Sequence, residues 1–387
     1  MDSIGDILGP EGLLASQLEG FGYRPQQQAM AEAVSEVLAS GGTLICEAGT
    51  GTGKTFAYLV PALLSGRKVL VSTGTRNLQD QLFHRDIPLV RDLLKAPVRV
   101  ALLKGRSNYL CLYRLALALD DHRRMHPEMR RQLRAVRDWA TVTRSGDVAE
   151  LGLPDDAPAW PAVTSTSDNC LGQDCPEWTR CHLLEARRAA QAADLVVVNH
   201  HLLCADIALK DEGFGEILPG ADCIVVDEAH QLPEVASGFF GTAVSGRQLL
   251  DLISDVETAY QAEAGDVPEL LRRAEAFRRA TLELRLALGS DDSRRGPWRE
   301  LTANADASAA LAAVRERLGV LQEGLETLQG RGKGLDSCLA RGTDLAERLA
   351  LLDEAGDAEE IRWFEIQGRG FRLHQTPLEV SHIFQPY

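Results

Sequence analysis

A glycine-rich run near the start of the chain carries the clearest chemical signal. Residues 47–55 read Glu-Ala-Gly-Thr-Gly-Thr-Gly-Lys-Thr. Glycines allow backbone N–H groups to approach phosphate oxygens, and a helix that begins at such a loop directs its positive end toward them. The lysine can reach the β- and γ-phosphates, and the hydroxyl after it can ligate Mg²⁺. The run therefore predicts a P-loop that binds a nucleoside triphosphate. Its candidate ligands are Ala48, Gly49, Thr50, Gly51, Thr52, Gly53, the catalytic Lys54 and the Mg²⁺ ligand Thr55.

Two adjacent acids follow an apolar run further along the chain. Residues 223–230 read Cys-Ile-Val-Val-Asp-Glu-Ala-His, which is typical of a buried strand that ends at the acids. A P-loop enzyme needs an acid at a neighbouring strand end to hold Mg²⁺, and Asp227 fits that role. Glu228 is then placed to polarise the attacking water as a general base. We expect His230 to couple the nucleotide state to the rest of the protein.

The eight cysteines fall into two groups. Cys111, Cys170, Cys175 and Cys181 have the spacing C…C-x₄-C-x₅-C. Thiolates suit an iron–sulfur cluster or zinc, and the spacing alone does not separate the two. The other four are scattered, and we expect them to be small buried residues of a cytosolic chain without disulfides. They are Cys46, Cys204, Cys223 and Cys338.

Apolar strands and amphipathic helices alternate in two parts of the chain. Helical spacing from 26 to 39 leads to a predicted buried strand at 43–46, and a second helix follows the P-loop and runs to Leu64. This alternation predicts an α/β fold with a parallel sheet and helices on both faces. Further strands are predicted at 68–72, 98–103, 195–198 and 223–226, with a helix from Arg76 to about Leu94.

Two long segments interrupt this alternation. Residues 106–185 contain the cysteine group and arginine-rich helical stretches without a clear strand, and 247–357 are rich in Ala, Leu, Glu and Arg at helical spacing. Residues 361–366 and 371–374 flank Gly368-Arg369-Gly370, which predicts a β-hairpin. The predicted domains are a first segment of the α/β domain (1–105), a cysteine insertion (106–185), a second segment of the α/β domain (186–246), a helical insertion (247–357) and a hairpin that returns toward the α/β domain (358–387).

Composition limits the class of protein. The net charge is −15, yet the stretch from Lys104 to Arg144 is rich in arginine. Such a run forms either a solvated helical face or a groove that guides single-stranded nucleic acid, with nearby aromatic rings available for base stacking. No apolar run reaches the roughly 18 residues of a membrane helix, and the acidic start does not read as a secretion signal. We therefore expect a cytoplasmic protein.

The order of these motifs resembles the XPD-like family of superfamily 2 DNA helicases, most closely its bacterial DinG/YoaA-like branch. Residues 23–28 are similar to the Q motif, 72–82 to motif Ia, and 227–230 to motif II, the DEAH box. Residues 103–111 resemble the entry to that family's cluster domain, and Ala48 replaces the usual P-loop glycine, as is common in superfamily 2. The match extends over nearly all of residues 21–245, and it implies that 1–105 and 186–246 are two segments of a P-loop, RecA-like motor domain.

The resemblance implies specific roles. Gln27 would read adenine, so that the nucleotide is ATP, and all four grouped cysteines would bind a [4Fe–4S] cluster. The insertion at 247–357 would correspond in position to the helical Arch domain. Single-stranded DNA would be contacted by Thr73, Thr75, Arg76, Arg106 and Tyr109.

The implied activity is ATP-dependent, 5′-to-3′ unwinding of DNA in repair or replication stress. The expected partners are single-stranded and forked duplex DNA, and we expect a monomer that does not bind membranes. Motif III and the motifs of a second motor domain are not recognisable in the sequence. We therefore expect the chain to bind ATP and DNA but to hydrolyse little ATP alone, since arginines of the second domain stabilise charge at the γ-phosphate. The alternatives are a binding module without turnover and an RNA-acting DEAH-type enzyme.

Overall fold

The chain consists of two compact units in a computed structural model, which describes residues 3–49, 51–120, 126–166, 169–211, 217–289, 293–353 and 360–378. The first unit comprises Met1–Ser167 and Gly172–Leu232. The second comprises Asp168–Leu171 and Pro233–Tyr387. No helix in the described part of the chain is long and apolar enough to cross a membrane.

A four-stranded parallel sheet forms the centre of the first unit and confirms the predicted mixed α/β class. Its strands lie in the order β2-β3-β1-β4, and all three neighbouring pairs are parallel. The two central strands are buried along their whole length, as expected for parallel strands covered on both faces. The strands are β1 (Val69–Thr73), β2 (Val100–Leu102), β3 (Leu195–Asn199) and β4 (Cys223–Val226).

Helices pack around this sheet at the predicted places. Pro25 begins the third helix at a position where its missing N–H costs nothing, and the fourth helix begins at Lys54, directly after the P-loop. Both helices bury apolar side chains in one core with the sheet. The helices of this unit are α1 (Ile4–Leu8), α2 (Leu13–Gln17), α3 (Pro25–Ser40), α4 (Lys54–Leu64), α5 (Arg76–Gln81), α6 (Ile87–Leu94), α7 (Leu112–Asp120), α8 (Pro127–Ala140), α9 (Trp160–Val163), α10 (His182–Ala192) and α11 (His200–Asp211).

The strand predicted at 43–46 is wrong for this structure. These residues are unpaired, and the side chain of Ile45 is 92% exposed. β4 pairs only with β1 among the described residues, and Ile224 at its other edge is exposed. A buried parallel strand needs cover on both faces, and neither Leu44 nor Ile45 is buried here. The apolar pattern is typical of a strand, but no strand forms here, and the side chains of Leu44 and Ile45 are exposed.

Residues 106–166 form a small subdomain with its own apolar core. Leu115 from α7, Val136 and Trp139 from α8, and Trp160 and Val163 around α9 are buried together. This core explains how a segment without regular strands remains ordered. The arginine-rich face of α8 lies opposite it and is exposed.

The second unit combines helices with an antiparallel sheet in the order β5-β8-β7-β6. The predicted hairpin is present, and Phe364 and Leu373 from its two strands are buried against the helices. Its outer partners, β5 and β6, were not predicted. The residues predicted to return toward the motor domain, 379–387, lie outside the described part. The elements are α12 (Leu232–Phe239), β5 (Thr242–Ser245), α13 (Gly246–Glu263), α14 (Pro268–Ala287), β6 (Ser293–Pro297), α15 (Trp298–Ala303), α16 (Ala305–Glu326), α17 (Lys333–Leu351), β7 (Glu360–Gln367) and β8 (Gly370–Pro377).

Candidate nucleotide site and nucleic-acid interface

The P-loop adopts a backbone that favours glycine. Gly51 and Gly53 have φ angles of +80° and +84°, a region that L side chains rarely adopt. The Thr52 hydroxyl donates to the carbonyl oxygen of Gly49 at 2.8 Å and closes the turn. Lys54 and Thr55 then form the first turn of α4, where backbone N–H groups remain available to an anion. Thr50, the remaining predicted loop ligand, lies outside the described residues.

Gln27 lies on α3, and its side chain contacts the P-loop. Its side chain is buried, and Nε2 donates to the carbonyl oxygen of Gly53 at 2.9 Å. A Cβ atom at Gly53 would lie only 2.0 Å from Nε2, so this packing also requires glycine. Gln27 Oε1 is buried without a hydrogen-bond partner among the described residues. A buried acceptor without a partner costs free energy, and an adenine amino group is a donor that could satisfy it.

The acids after β4 lie opposite the first turn of α4. Lys54 Nζ lies 3.4 Å from Glu228 Oε1, and His230 Nδ1 lies 3.4 Å from Glu228 Oε2. Glu228 has φ +56°, an uncommon backbone conformation for a residue with a side chain. Strained backbone at a functional site is a recurring observation. The structure thus brings together Lys54, Glu228 and His230, which the sequence predicted as catalytic residues from separate segments.

Asp227 has an environment suited to a metal ligand. Burial, and then the neighbouring Glu228 carboxylate, raise the pKa of Asp227 above its usual range. A cation is the natural way to stabilise two adjacent carboxylates that are partly withdrawn from water. The carboxylate of Asp227 and the hydroxyl of Thr55 are hard oxygen donors of the kind that Mg²⁺ prefers. The residues present therefore fit the predicted ion.

The predicted DNA-contact segment follows β1, beside the acids. Asp227 N–H donates to the carbonyl oxygen of Ser72 at 2.8 Å, and Gln231 packs so closely on Gly74 that a Cβ there would come within 2.1 Å of Gln231 Oε1. Thr75 caps α5 by accepting from Leu78 N–H at 3.2 Å, and Thr75 and Arg76 are exposed. The nucleotide site and this segment are therefore neighbours through direct contacts.

Two predicted DNA contacts are buried instead. Thr73 is fully buried at the end of β1. Tyr109 is buried as well; its hydroxyl accepts from Lys104 N–H at 3.1 Å, and burial raises the pKa of Tyr109 to about 12. Neither side chain can contact DNA in this conformation, because both are buried. The sequence could not predict this, since periodicity shows where apolar faces lie but not which hydroxyl groups are covered. Arg106 is half-buried, with Nη1 3.5 Å from the Thr166 carbonyl oxygen, so Thr75, Arg76 and Arg106 remain the candidate contacts.

A buried ion-pair cluster that the sequence did not reveal lies beside Tyr109. Lys104 is only 3% exposed, and its Nζ lies 2.6 Å from Asp80 Oδ1 and 2.7 Å from Asp147 Oδ2. Asp80 belongs to α5, and Asp147 belongs to the cysteine insertion. Gln79, also on α5, donates to the carbonyl oxygen of Leu103 at 2.9 Å. These contacts join the insertion to α5, which is part of the predicted DNA-contact segment.

The four grouped cysteines are all partly exposed, and no disulfide joins any of the eight cysteines. Cys111 is held by its N–H, which donates to the Val163 carbonyl oxygen at 2.8 Å, and Cys181 caps α10. Cys170 belongs to the short Asp168–Leu171 segment, which groups with the second unit. Within the described residues, no three His, Cys, Asp or Glu side chains are close enough to form a metal site.

The scattered cysteines differ among themselves. Cys204 and Cys338 are buried, as predicted, and burial raises the pKa of Cys204 to about 11 and that of Cys338 to about 12. Cys223 is partly exposed. Cys46 is exposed, which corrects the prediction that it is buried. The cause is the same as for Ile45, since the strand that would bury it is not formed.

These differences predict a pattern of thiol labelling. At pH 8 the buried thiols should be ionised in about one molecule in a thousand or fewer, and thiolates are the reactive species. We expect iodoacetamide to modify Cys46 rapidly in the folded chain and to leave Cys204 and Cys338 unmodified, as measured by peptide mass spectrometry. The same reaction in urea should label all three. Labelling of Cys338 as fast as Cys46 in the folded chain would contradict the assignment.

Comparison with known proteins finds that the chain is similar to DNA helicases. The DEAD/DEAH box helicase family matches residues 23–113. ATP-dependent DNA helicase YoaA of Haemophilus influenzae is 42% identical over 99% of this chain and 60% of that protein. YoaA of Escherichia coli is 44% identical over 98% of this chain and 60% of that protein. ATP-dependent helicase DinG of Mycobacterium tuberculosis is 38% identical over 57% of this chain and 36% of that protein.

The chain therefore spans about 60% of the length of the two YoaA proteins that it matches.

Among solved structures, the Xpd4 protein of S. tokodaii matches 94% of this chain, and the match includes 54% of that protein. The sequence identity is 15% and the TM-score is 0.41. The family resemblance that the motifs predicted is confirmed by the YoaA and DinG sequences.

Proposed function

We propose that this chain, a relative of the YoaA- and DinG-type ATP-dependent DNA helicases over nearly its whole length, forms the ATP-binding motor part of such a helicase. The ion pair between Lys54 and Glu228 is the observation that carries this proposal. It joins the P-loop to the DEAH box at the place where the γ-phosphate of ATP would lie. The expected reaction is hydrolysis of ATP coupled to movement along single-stranded DNA in the 5′-to-3′ direction.

The ion pair suggests how the site responds to nucleotide. Without ATP, Lys54 and Glu228 neutralise each other across 3.4 Å. The β- and γ-phosphates would compete for Lys54, because charge-assisted contacts to phosphate are stronger than this long ion pair. Glu228 would then lose its cationic partner and accept a proton from the attacking water. His230 contacts the other oxygen of Glu228 and would hold that carboxylate in place.

Mg²⁺, when bound with ATP, would neutralise charge on the β- and γ-phosphates. Thr55 and Asp227 are the side chains we propose to hold it. Gln27 would select adenine through its buried acceptor Oε1. Its hydrogen bond to Gly53 would couple adenine binding to the conformation of the P-loop. Ala48, Gly49, Gly51, Thr52 and Gly53 would surround the phosphates with backbone donors.

Single-stranded DNA would lie along the segment that follows β1. Thr75 and Arg76 are exposed there, and Arg106 lies at the entry to the insertion. The exposed arginines on α8 add positive charge that suits a phosphate backbone. They are Arg130, Arg131, Arg134 and Arg137. Forked duplex DNA is the proposed substrate of the whole protein, acting as a cytoplasmic monomer in DNA repair.

Hydrolysis of ATP with and without single-stranded DNA tests the proposed motor. We expect a low rate that rises when DNA is added, because the DNA segment contacts Asp227, which is adjacent to the proposed general base Glu228. If the chain bound both ATP and DNA but DNA did not change the rate of ATP hydrolysis, the proposed motor function would be contradicted. That result would favour a module that only binds ATP and DNA.

We further propose that Cys111, Cys170, Cys175 and Cys181 bind a [4Fe–4S] cluster in the insertion. Four partly exposed thiols without disulfides, in a segment of short turns, have suitable donor chemistry. Cluster ligation would tie residues 169–181 to the α7–α9 core through Cys111. The domain plan, with a cluster insertion at 106–185 and an Arch-like insertion at 247–357, is part of the same proposal.

The variant Cys175→Ser tests the ligand assignment. Loss of one of four thiolates should lower the iron content of anaerobically purified protein, and it should weaken binding of single-stranded DNA because residues 106–185 loosen. Iron analysis and fluorescence anisotropy measure the two effects. Cys46→Ser removes an exposed thiol outside the group and should change neither. Wild-type iron content and DNA affinity in Cys175→Ser would exclude Cys175 as a ligand, and stoichiometric zinc in the wild-type protein would contradict the cluster.

A further inference from the structure

Tyr58 contacts Asp227, one of the two side chains proposed to hold Mg²⁺. It lies one turn into α4 and is buried, with 3% of its surface exposed. Its hydroxyl donates to Asp227 Oδ2 at 3.3 Å. Thr55 lies three residues before Tyr58 on the same helix. Since Tyr58 and Asp227 come from the P-loop helix and from the end of β4, the phenol bridges two otherwise separate segments.

We propose that Tyr58 is a positioning residue for the Mg²⁺ site, an inference that rests on the proposed function. Its hydroxyl holds Oδ2 of Asp227 and fixes the rotamer of that carboxylate. Oδ1 of Asp227 would then be the oxygen available to hold the ion. A preoriented carboxylate lowers the ordering cost of binding a cation that demands regular geometry.

The surroundings of Asp227 explain why a phenol is suited to this task. Besides Tyr58, the carboxylate is contacted by the backbone N–H of Glu228, and Lys54 acts on it through its charge. Lys54 would move toward the phosphates when ATP binds, whereas Tyr58 is buried and would keep its position beside Asp227. A neutral donor orients the carboxylate without competing for the charge that attracts the cation. The hydrogen bond from Tyr58 is therefore the side-chain contact expected to persist in the loaded site.

The substitution Tyr58→Phe removes only the hydroxyl. Affinity for a non-hydrolysable ATP analogue is measured by calorimetry, once with Mg²⁺ and once with EDTA. We expect the metal-free affinity to stay within about twofold of wild type, and the gain in affinity on adding Mg²⁺ to fall on the order of tenfold. A purely structural role would lower both affinities together, and an unchanged Mg²⁺ gain would overturn the inference.

Two further variants separate the possible failures. In an Asp227→Asn background, Tyr58→Phe should have no additional effect on the Mg²⁺ gain, because the phenol acts through Asp227. This comparison still holds if Tyr58→Phe lowers stability, and an undiminished extra loss would contradict the inference. Tyr260→Phe removes a hydroxyl that donates to the Gly265 carbonyl oxygen in the second unit and should leave all affinities unchanged. Absence of any Mg²⁺-dependent binding in wild type would instead refute the proposed function.

Discussion

Lys54→Ala is expected to lower the affinity of the chain for MgATP by at least a hundredfold. Lys54 starts α4 beside the glycine turns and lies 3.4 Å from Glu228, in reach of the place where the phosphates would bind. Its ammonium would contact two phosphate groups, and each charge-assisted hydrogen bond typically contributes roughly 1.5–3 kcal/mol. Titration with a fluorescent ATP analogue measures the loss.

Lys68→Ala is a matched control for that substitution. Lys68 lies on the same unit, and its Nζ donates to the carbonyl oxygen of Gln191 at 2.8 Å on the surface. Its removal changes the net charge by the same amount but should leave ATP affinity unaltered. If Lys54→Ala bound ATP as tightly as wild type, the glycine-rich run would not be the phosphate site.

Lys104→Met is expected to reduce the free energy of unfolding of the first unit by about 3–5 kcal/mol. The methionine side chain fills similar space but leaves Asp80 and Asp147 without the cation that lies 2.6 Å and 2.7 Å from them. Removing one partner of a buried ion pair leaves an uncompensated charge, which costs more than the intact pair contributes. Denaturant unfolding followed by circular dichroism gives the magnitude.

An exposed ion pair provides the comparison. Arg91→Met breaks a surface contact with Asp92 and should cost about 1 kcal/mol or less, because water replaces the interaction. Adding Asp147→Asn to Lys104→Met should recover part of the lost stability by removing one unpaired charge. A Lys104→Met protein as stable as the Arg91→Met protein would show that the cluster around Lys104 does not hold the insertion in place.

Local signals in the sequence predicted the site better than they predicted its supports. The P-loop and the DEAH acids could be recognised because their chemistry requires fixed residue types at adjacent positions, and the structure brings Lys54 and Glu228 within 3.4 Å. Tyr58 and Lys104 could not be recognised in this way. Tyr58 lies in an apolar helix, and the partners of Lys104 are 24 and 43 positions away in the sequence, in Asp80 and Asp147 respectively.

Asp80 lies on α5, before Lys104 in the sequence, and Asp147 lies after Lys104, in the insertion. Contacts of this kind depend on how α5 meets the insertion, which periodicity does not encode. Tyr109 shows the same limit, because an aromatic residue next to arginines suggested stacking on DNA whereas its ring is buried. β5 and β6 were missed because short strands in a helical region lack an alternating pattern long enough to detect.

The proposed ATP site and the segment proposed to bind single-stranded DNA are expected to be coupled. Asp227 N–H donates to Ser72 O at 2.8 Å, and Gln231 packs directly on Gly74, so nucleotide-driven movement of the DEAH box should reach Thr75 and Arg76. Coupling between two ligands is reciprocal in equilibrium binding. It can therefore be measured without turnover.

The most direct measurement is the affinity of the anaerobically purified chain for single-stranded DNA, with and without a saturating non-hydrolysable ATP analogue and Mg²⁺. We predict that the nucleotide changes DNA affinity by about fivefold or more, and that DNA changes nucleotide affinity by the same factor. Lys54→Ala should abolish the effect of nucleotide while retaining DNA binding. Tight binding of both ligands with no effect of either on the other would contradict a motor and leave two independent binding sites.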